Sequence, residues 1–175
     1  VGWAAWRSEE HLPADLVFHV TYLGGDMPTF TLNFSRPGNQ IIGQYFNFVR
    51  YGFEGYRDIM GSLQWGAQQI ASQIAAMGPF EILSDGTDIP VISFALKTPD
   101  TYTVYDVASR LRLTGWQVPA YPLPADAQDK HILRIVARVG MSLDMADTLV
   151  SDLQDAVNYL EKNGGTGEQH GGFSH

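Results

Sequence analysis

From residue 39 to residue 77, Ile41, Tyr45, Phe48, Gly52, Tyr56, Ile59, Leu63, Ala67, Ile70, Ile74 and Met77 follow one another at spacings of three or four. That is one stripe down a helix. A single helix of this length would run roughly 60 Å at about 1.5 Å per residue, longer than a small domain is wide. Each interior glycine costs about 1 kcal/mol relative to alanine. The pattern therefore admits either one helix or two, broken near Gly52, Gly55 or Gly61.

Around this stripe the period changes. Residues 3–7 and 16–21 read as short strands with Pro13 marking the turn between them, and Gly24 and Gly25 permit the positive φ of a hairpin tip over residues 22–28. Residues 29–34 alternate, with Phe30, Leu32 and Phe34 on one face and Thr29, Thr31 and Asn33 on the other, which is a strand; Ser35 and Pro37 then signal a helix start. Gly78 and Pro79 end the long helical region. Residues 80–83 and 89–96 are predicted to pair around the turn Asp85-Gly86-Thr87-Asp88. Thr103 and Asp106 can cap a helix that buries Val104, Val107, Ala108 and Leu111 and stops at Gly115. Strands are expected over 116–120 and 131–139, and a last helix over 142–162 with Ala146, Leu149, Val150, Leu153, Val157 and Leu160 on one face.

The order of two strands, helix, two strands, helix predicts a small α/β domain, a two-layer sandwich with one face of its sheet covered. Five glycines between 164 and 172 make residues 164–175 a flexible tail in this reading. At 175 residues the chain can bury a real core. Its formal charge of −8, from 11 basic against 19 acidic residues, disfavours a nucleic-acid partner. It has no cysteine, hence no disulfide and no thiolate nucleophile or metal ligand. No apolar run nears the roughly 20 residues that span a bilayer, and residues 1–6 lack the features of a secretory signal. A soluble, cytoplasmic protein is the expectation. His11, His19 and His131 are far apart and lack the spacing of a helical metal pair.

The segment Tyr22-Leu23-Gly24-Gly25-Asp26-Met27-Pro28-Thr29-Phe30-Thr31-Leu32-Asn33-Phe34-Ser35-Arg36-Pro37 resembles the bacterial-type, pyridoxal-phosphate-dependent glutamate decarboxylases. The likeness extends to Trp3-Ala4-Ala5-Trp6-Arg7, to residues 12–18, to Leu111-Arg112-Leu113-Thr114-Gly115-Trp116-Gln117-Val118-Pro119 and to Leu133-Arg134-Ile135. The resemblance implies the end of a fold-type-I large domain with an active-site hairpin over residues 1–37, a linker helix region over 38–78, a small carboxyl-terminal α/β domain over 79–163 and the tail from 164. In that family the Schiff-base lysine follows a histidine in a Ser-x-His-Lys motif. Lys97, Lys130 and Lys162 have no such setting. The chain is therefore expected to be the carboxyl-terminal portion of such an enzyme, inert by itself, completed by the missing amino-terminal portion and by homo-oligomerisation.

Decarboxylation through pyridoxal phosphate needs a lysine imine, a phosphate anchor, a grip on the substrate carboxylate and a proton donor. Phe34 and Ser35 stand before the long helix, where free N–H groups and the helix dipole suit a phosphate; on the residues alone a serine N-cap is the favoured reading. The resemblance makes them contacts to the cofactor phosphate of a neighbouring subunit. Alternation along the strand puts Arg134 on the face of Ile132, Val136 and Arg138, and a guanidinium among apolar neighbours calls for an anion, whether an internal acid or a ligand carboxylate. The resemblance assigns it to the substrate α-carboxylate. Tyr22, at the hairpin, looks like the family's flap tyrosine, and His175, within Gly172-Phe173-Ser174-His175, resembles a tail histidine that plugs the site near neutral pH.

The function implied is conversion of L-glutamate to γ-aminobutyrate and CO2. Two alternatives stand beside it: decarboxylation of another amino acid, and a non-catalytic regulatory module built on residues 79–163.

Overall fold

The computed structural model describes residues 4–22, 24–29 and 37–166. It divides into two compact units, Val1–Phe53 and Glu54–His175.

In the first unit, residues 4–7 form no strand. The chain turns at once into 3-10 turns at Glu9–His11 and Ala14–Leu16, where His11 N–H donates to Ser8 O at 3.1 Å. Strand β1, Phe18–Tyr22, pairs antiparallel with β2, Gly25–Thr29, from Phe18 opposite Thr29 to Tyr22 opposite Gly25. Gly24, at φ 83°, makes the turn a tight two-residue one. Residues 25–28, expected as part of the hairpin tip, thus belong to the second strand. The alternating strand read over 29–34 keeps only Thr29 within the described residues, as the last position of β2.

Helix α1, Asn39–Ala76, is one element by its hydrogen bonds but not by its backbone. Gly52 sits at φ 57°, ψ −172°, a combination essentially reserved for glycine. The stripe is therefore carried by two stretches. In the first, Ile41, Ile42, Tyr45, Phe46 and Val49 are exposed; in the second, Ala67, Ile70, Ala71 and Ile74 are buried.

The second unit holds a four-stranded antiparallel sheet in the order β3-β4-β6-β5. Its strands are β3 Phe80–Asp85, β4 Val91–Leu96, β5 Ala120–Pro122 and β6 His131–Val136. Between Ile82 and Ser84 the β3–β4 register shifts, so that Leu83 has no opposite number and bulges. The later part of α1, α2 (Val104–Leu113) and α3 (Leu143–Asn163) cover one face of the sheet. Phe80, Ile92, Phe94, Leu133 and Ile135 point into that layer and meet Ile70, Ile74, Val107, Leu111, Leu153 and Val157. The rings of Phe80 and Phe94 meet edge to face at 5.1 Å. This is the expected two-layer α/β arrangement.

Local chemistry fixes the helix ends. Thr103 and Asp106 form the anticipated capping box on α2, and the Ser142 hydroxyl accepts from Met145 N–H at the start of α3. After α2, Trp116 N–H closes onto Leu111 O, and the indole N–H donates to Asp152 of α3 at 2.7 Å. Residues 116–119 are spent crossing from helix to sheet. That is why β5 starts at Ala120 rather than at 116. The presumed tail also begins differently: Gly165 N–H donates to Thr101 O at 2.9 Å, and Thr166 bonds to Asp106 through both its N–H and its hydroxyl.

Candidate active site

Arg134 lies in the middle of β6, opposite Ser93 of β4. Its N–H donates to Pro119 O at 3.2 Å, which ties it to the approach to β5. Residues Leu133, Ile135 and Ala137 take the helix-covered face, so Arg134, Val136 and Arg138 are turned to the other, open one. The sequence placed Arg134 among apolar neighbours in need of an anion; the structure corrects the setting. Ile132 is buried, but Arg134 itself is exposed, and among the described residues its guanidinium makes no ion pair. The internal salt bridge that the sequence left open is not formed among the described residues. Glu81, the acid that β3 contributes to this face, is held by Lys130 at 2.9 Å.

What Arg134 does touch is a ring. Its Cζ stands 5.4 Å from the centre of Tyr121, the middle residue of β5, whose register partner is Ile132. Tyr121 and Arg134 are thus diagonal neighbours on one face, a pairing that long and aromatic side chains can span. Nothing in the sequence marked Tyr121, because diagonal proximity depends on strand order. The small side chain of Ser93 flanks the other side of Arg134. A planar fork with five donors, backed by an aromatic face and open to solvent in front, is suited to accept a carboxylate from outside.

Tyr22 ends β1, opposite Gly25, in the first unit. Phe34, Ser35 and His175 lie outside the described residues. No grouping of three or more histidine, aspartate or glutamate side chains suited to a metal ion occurs among the described residues. No helix among them is long and apolar enough to cross a membrane.

A second polar group lies nearby, unannounced by the sequence. Tyr105 of α2 is buried, and its hydroxyl is hydrogen-bonded to His131 Nδ1 at 2.8 Å, with the rings edge to face at 5.4 Å. Burial pushes the Tyr105 phenol above its usual range. The pair lines a cleft of about 400 Å³ together with Lys130, Asp129 and Pro99.

The lysines do not provide a pyridoxal phosphate anchor. Lys97 Nζ donates to Gly78 O at 2.7 Å, Lys130 is paired with Glu81, and Lys162 is exposed in the last turn of α3. None is the desolvated, unpaired amine that imine chemistry needs. The described residues therefore do not by themselves make up a site for that group.

Residues 1–97 match the pyridoxal-dependent decarboxylase conserved domain. A probable glutamate decarboxylase gamma from Listeria monocytogenes is 47% identical over 163 residues, covering 92% of this chain and 35% of that protein. A glutamate decarboxylase from the plant Solanum lycopersicum is 46% identical over 161 residues, covering 92% and 32%. Among solved structures, the Lactobacillus brevis glutamate decarboxylase superposes with a TM-score of 0.82 at 42% identity, over 90% of this chain and 36% of that one. A Burkholderia pseudomallei sphingosine-1-phosphate lyase shares the fold, with a TM-score of 0.72 at 21% identity. The chain thus spans about a third of the length of the relatives it matches. The reading as a free-standing regulatory module is not favoured, because the matched domain runs through the very residues such a module would not need. With a domain match over 97 of its 175 residues, this chain belongs to the pyridoxal-dependent decarboxylase family.

Proposed function

We propose that the chain is the carboxyl-terminal part of an enzyme that converts L-glutamate to γ-aminobutyrate and CO2, and that it supplies the grip on the substrate α-carboxylate. The observation that carries this reading is the exposed guanidinium of Arg134, free of any ion pair among the described residues and standing on the open face of the sheet. Desolvated against an incoming anion, a bidentate Arg–carboxylate pair orients the substrate as well as binding it. The relatives named glutamate decarboxylase support the choice of substrate.

In the same reading Phe34 and Ser35 meet the cofactor phosphate of a neighbouring subunit, which makes oligomerisation part of the active state. Tyr22, at the closing end of the β1–β2 hairpin, excludes water or relays a proton, and His175 obstructs the pocket near neutral pH. The lysine that holds pyridoxal phosphate comes from the portion of the enzyme not represented by these residues, so this chain alone turns nothing over.

The test is Arg134→Lys and Arg134→Ala in the intact enzyme. Lysine keeps the charge but loses the fork. KM for glutamate is expected to rise about tenfold or more for either variant, as for a lost charge-assisted pair. Wild-type KM in both would remove Arg134 from the substrate.

A further inference from the structure

The Arg134 side chain is long and flexible, and on an open sheet face nothing polar among the described residues holds its head group. Ser93 is too short to confine it, Glu81 is engaged by Lys130, and Val136, two residues along, is apolar and half exposed. What stands beside it is the ring of Tyr121, 5.4 Å from Cζ. That ring is itself well placed to act as a fixed wall. Tyr121 is the centre of β5, hydrogen-bonded through the ladder to β6, and its neighbour Ala120 packs against the core.

We propose that Tyr121 is a positioning residue for Arg134: its ring face sets the plane of the guanidinium, so that the N–H fork is presented to the substrate carboxylate before the substrate arrives. This rests on the reading of Arg134 as the carboxylate grip. The physics is that of an arginine over an aromatic ring, where the cation is attracted to the negative face and the planar group settles against it. Preorganisation lowers the entropy lost on binding. The ring, not the hydroxyl, is what the geometry requires.

Two measurements separate the positioning role from its premise. In the intact enzyme without substrate, 15N relaxation of the Arg134 Nε–H reports the order of the guanidinium without any catalysis. Tyr121→Leu is expected to lower that order clearly, and Tyr121→Phe to leave it unchanged. In the intact enzyme, Tyr121→Leu is expected to raise KM for glutamate about five- to tenfold with kcat within about twofold, Tyr121→Phe to stay within about twofold on both, and binding of γ-aminobutyrate, which lacks the α-carboxylate, to be unaffected. Should Leu lower the melting temperature, Tyr121→Met fills similar space without a ring and repeats the test. A rise in KM for Arg134→Ala with none for Tyr121→Leu or Tyr121→Met overturns the positioning role alone. Unchanged KM for Arg134→Ala overturns the premise and the role with it. Equal weakening of substrate and product by Tyr121→Leu shows a merely structural residue, and so does an Arg134 order that ignores the ring.

Discussion

The carboxylate of Asp106 binds Thr166, sixty residues further on, twice: Oδ1 accepts the backbone N–H at 2.8 Å and the hydroxyl at 2.9 Å. Its other oxygen accepts the N–H and hydroxyl of Thr103 at 2.9 and 2.8 Å. One buried acid therefore caps α2 and fastens the chain that leaves α3. Removing it strands four donors. Asp106→Ala is expected to destabilise the second unit by about 2–3 kcal/mol, the scale of a lost cap plus charged hydrogen bonds, read as a shift in the urea midpoint. Asp106→Asn should recover only part of this, and an unchanged midpoint for Ala would deny the fastening any energetic weight.

The same group sets a pH dependence. Burial raises the Asp106 carboxyl, but the bonds from Thr103 and Thr166 outweigh that and hold it below the ordinary aspartate value. A folded-state pKa lowered in this way contributes stability that is complete above the unfolded value, about 3.9, and is lost as pH falls through the folded one. The stability gap between wild type and Asp106→Ala should be flat from neutral pH down to about pH 5 and narrow only below about pH 4. A gap already closing at pH 6 would contradict the direction of the shift.

Pinning Thr166 also bounds the tail. Nine residues at about 3.3–3.6 Å each keep His175 within roughly 30 Å of Thr166. If His175 obstructs the pocket near neutrality, deleting residues 172–175 from the intact enzyme should extend its activity toward neutral pH, and Thr166→Val, which loosens the tether, should do so partially. An identical pH–rate profile after deletion would reject the obstruction.

Gly86 turns β3 into β4 at φ 88°, and a Cβ built there would stand 2.7 Å from the Cβ of Ala67 on α1. Gly86→Ala meets both a strained backbone and a crowded helix, and is expected to cost about 2–4 kcal/mol. Ala67→Gly in that background should return some of the loss, since it relieves the crowding and not the φ. A variant as stable as wild type would mean that the turn can withdraw from the helix.

Gly52 offers a backbone test. Alanine does not tolerate φ 57° with ψ −172°, whereas it favours the helical region. Gly52→Ala should draw residue 52 into helical dihedrals, visible as a helical 13Cα shift there. A residue 52 that keeps its positive φ would show that the surroundings, not the glycine, impose the break.

Much of this was legible locally. The Thr103–Asp106 box, the Asp85–Asp88 turn and the apolar face of α3 are written within a few residues of where they act. Locality is also the limit. The α1 stripe predicts a face but not that its later part, around Ala67, Ile70 and Ile74, is what finds a core while Ile41 and Tyr45 stay exposed, and alternation sorts Arg134 from Leu133 without saying which side the helices cover. A strand at residues 3–7 was plausible by composition, yet strands exist only with a partner. The approach of Tyr121 to Arg134 and of Thr166 to Asp106 follows from sheet order and chain closure, which no short window contains.

The two borders of the larger sheet are both blunt. β5 is three residues long and ends on Pro122, which has no N–H to offer, while β3 is bent by the bulge at Leu83. Neither rim is a flat template on which a second molecule could lay down another strand, so growth into fibrils by ladder extension is disfavoured from both sides. Any further assembly of this unit is steered toward side-chain surfaces instead of backbone ones.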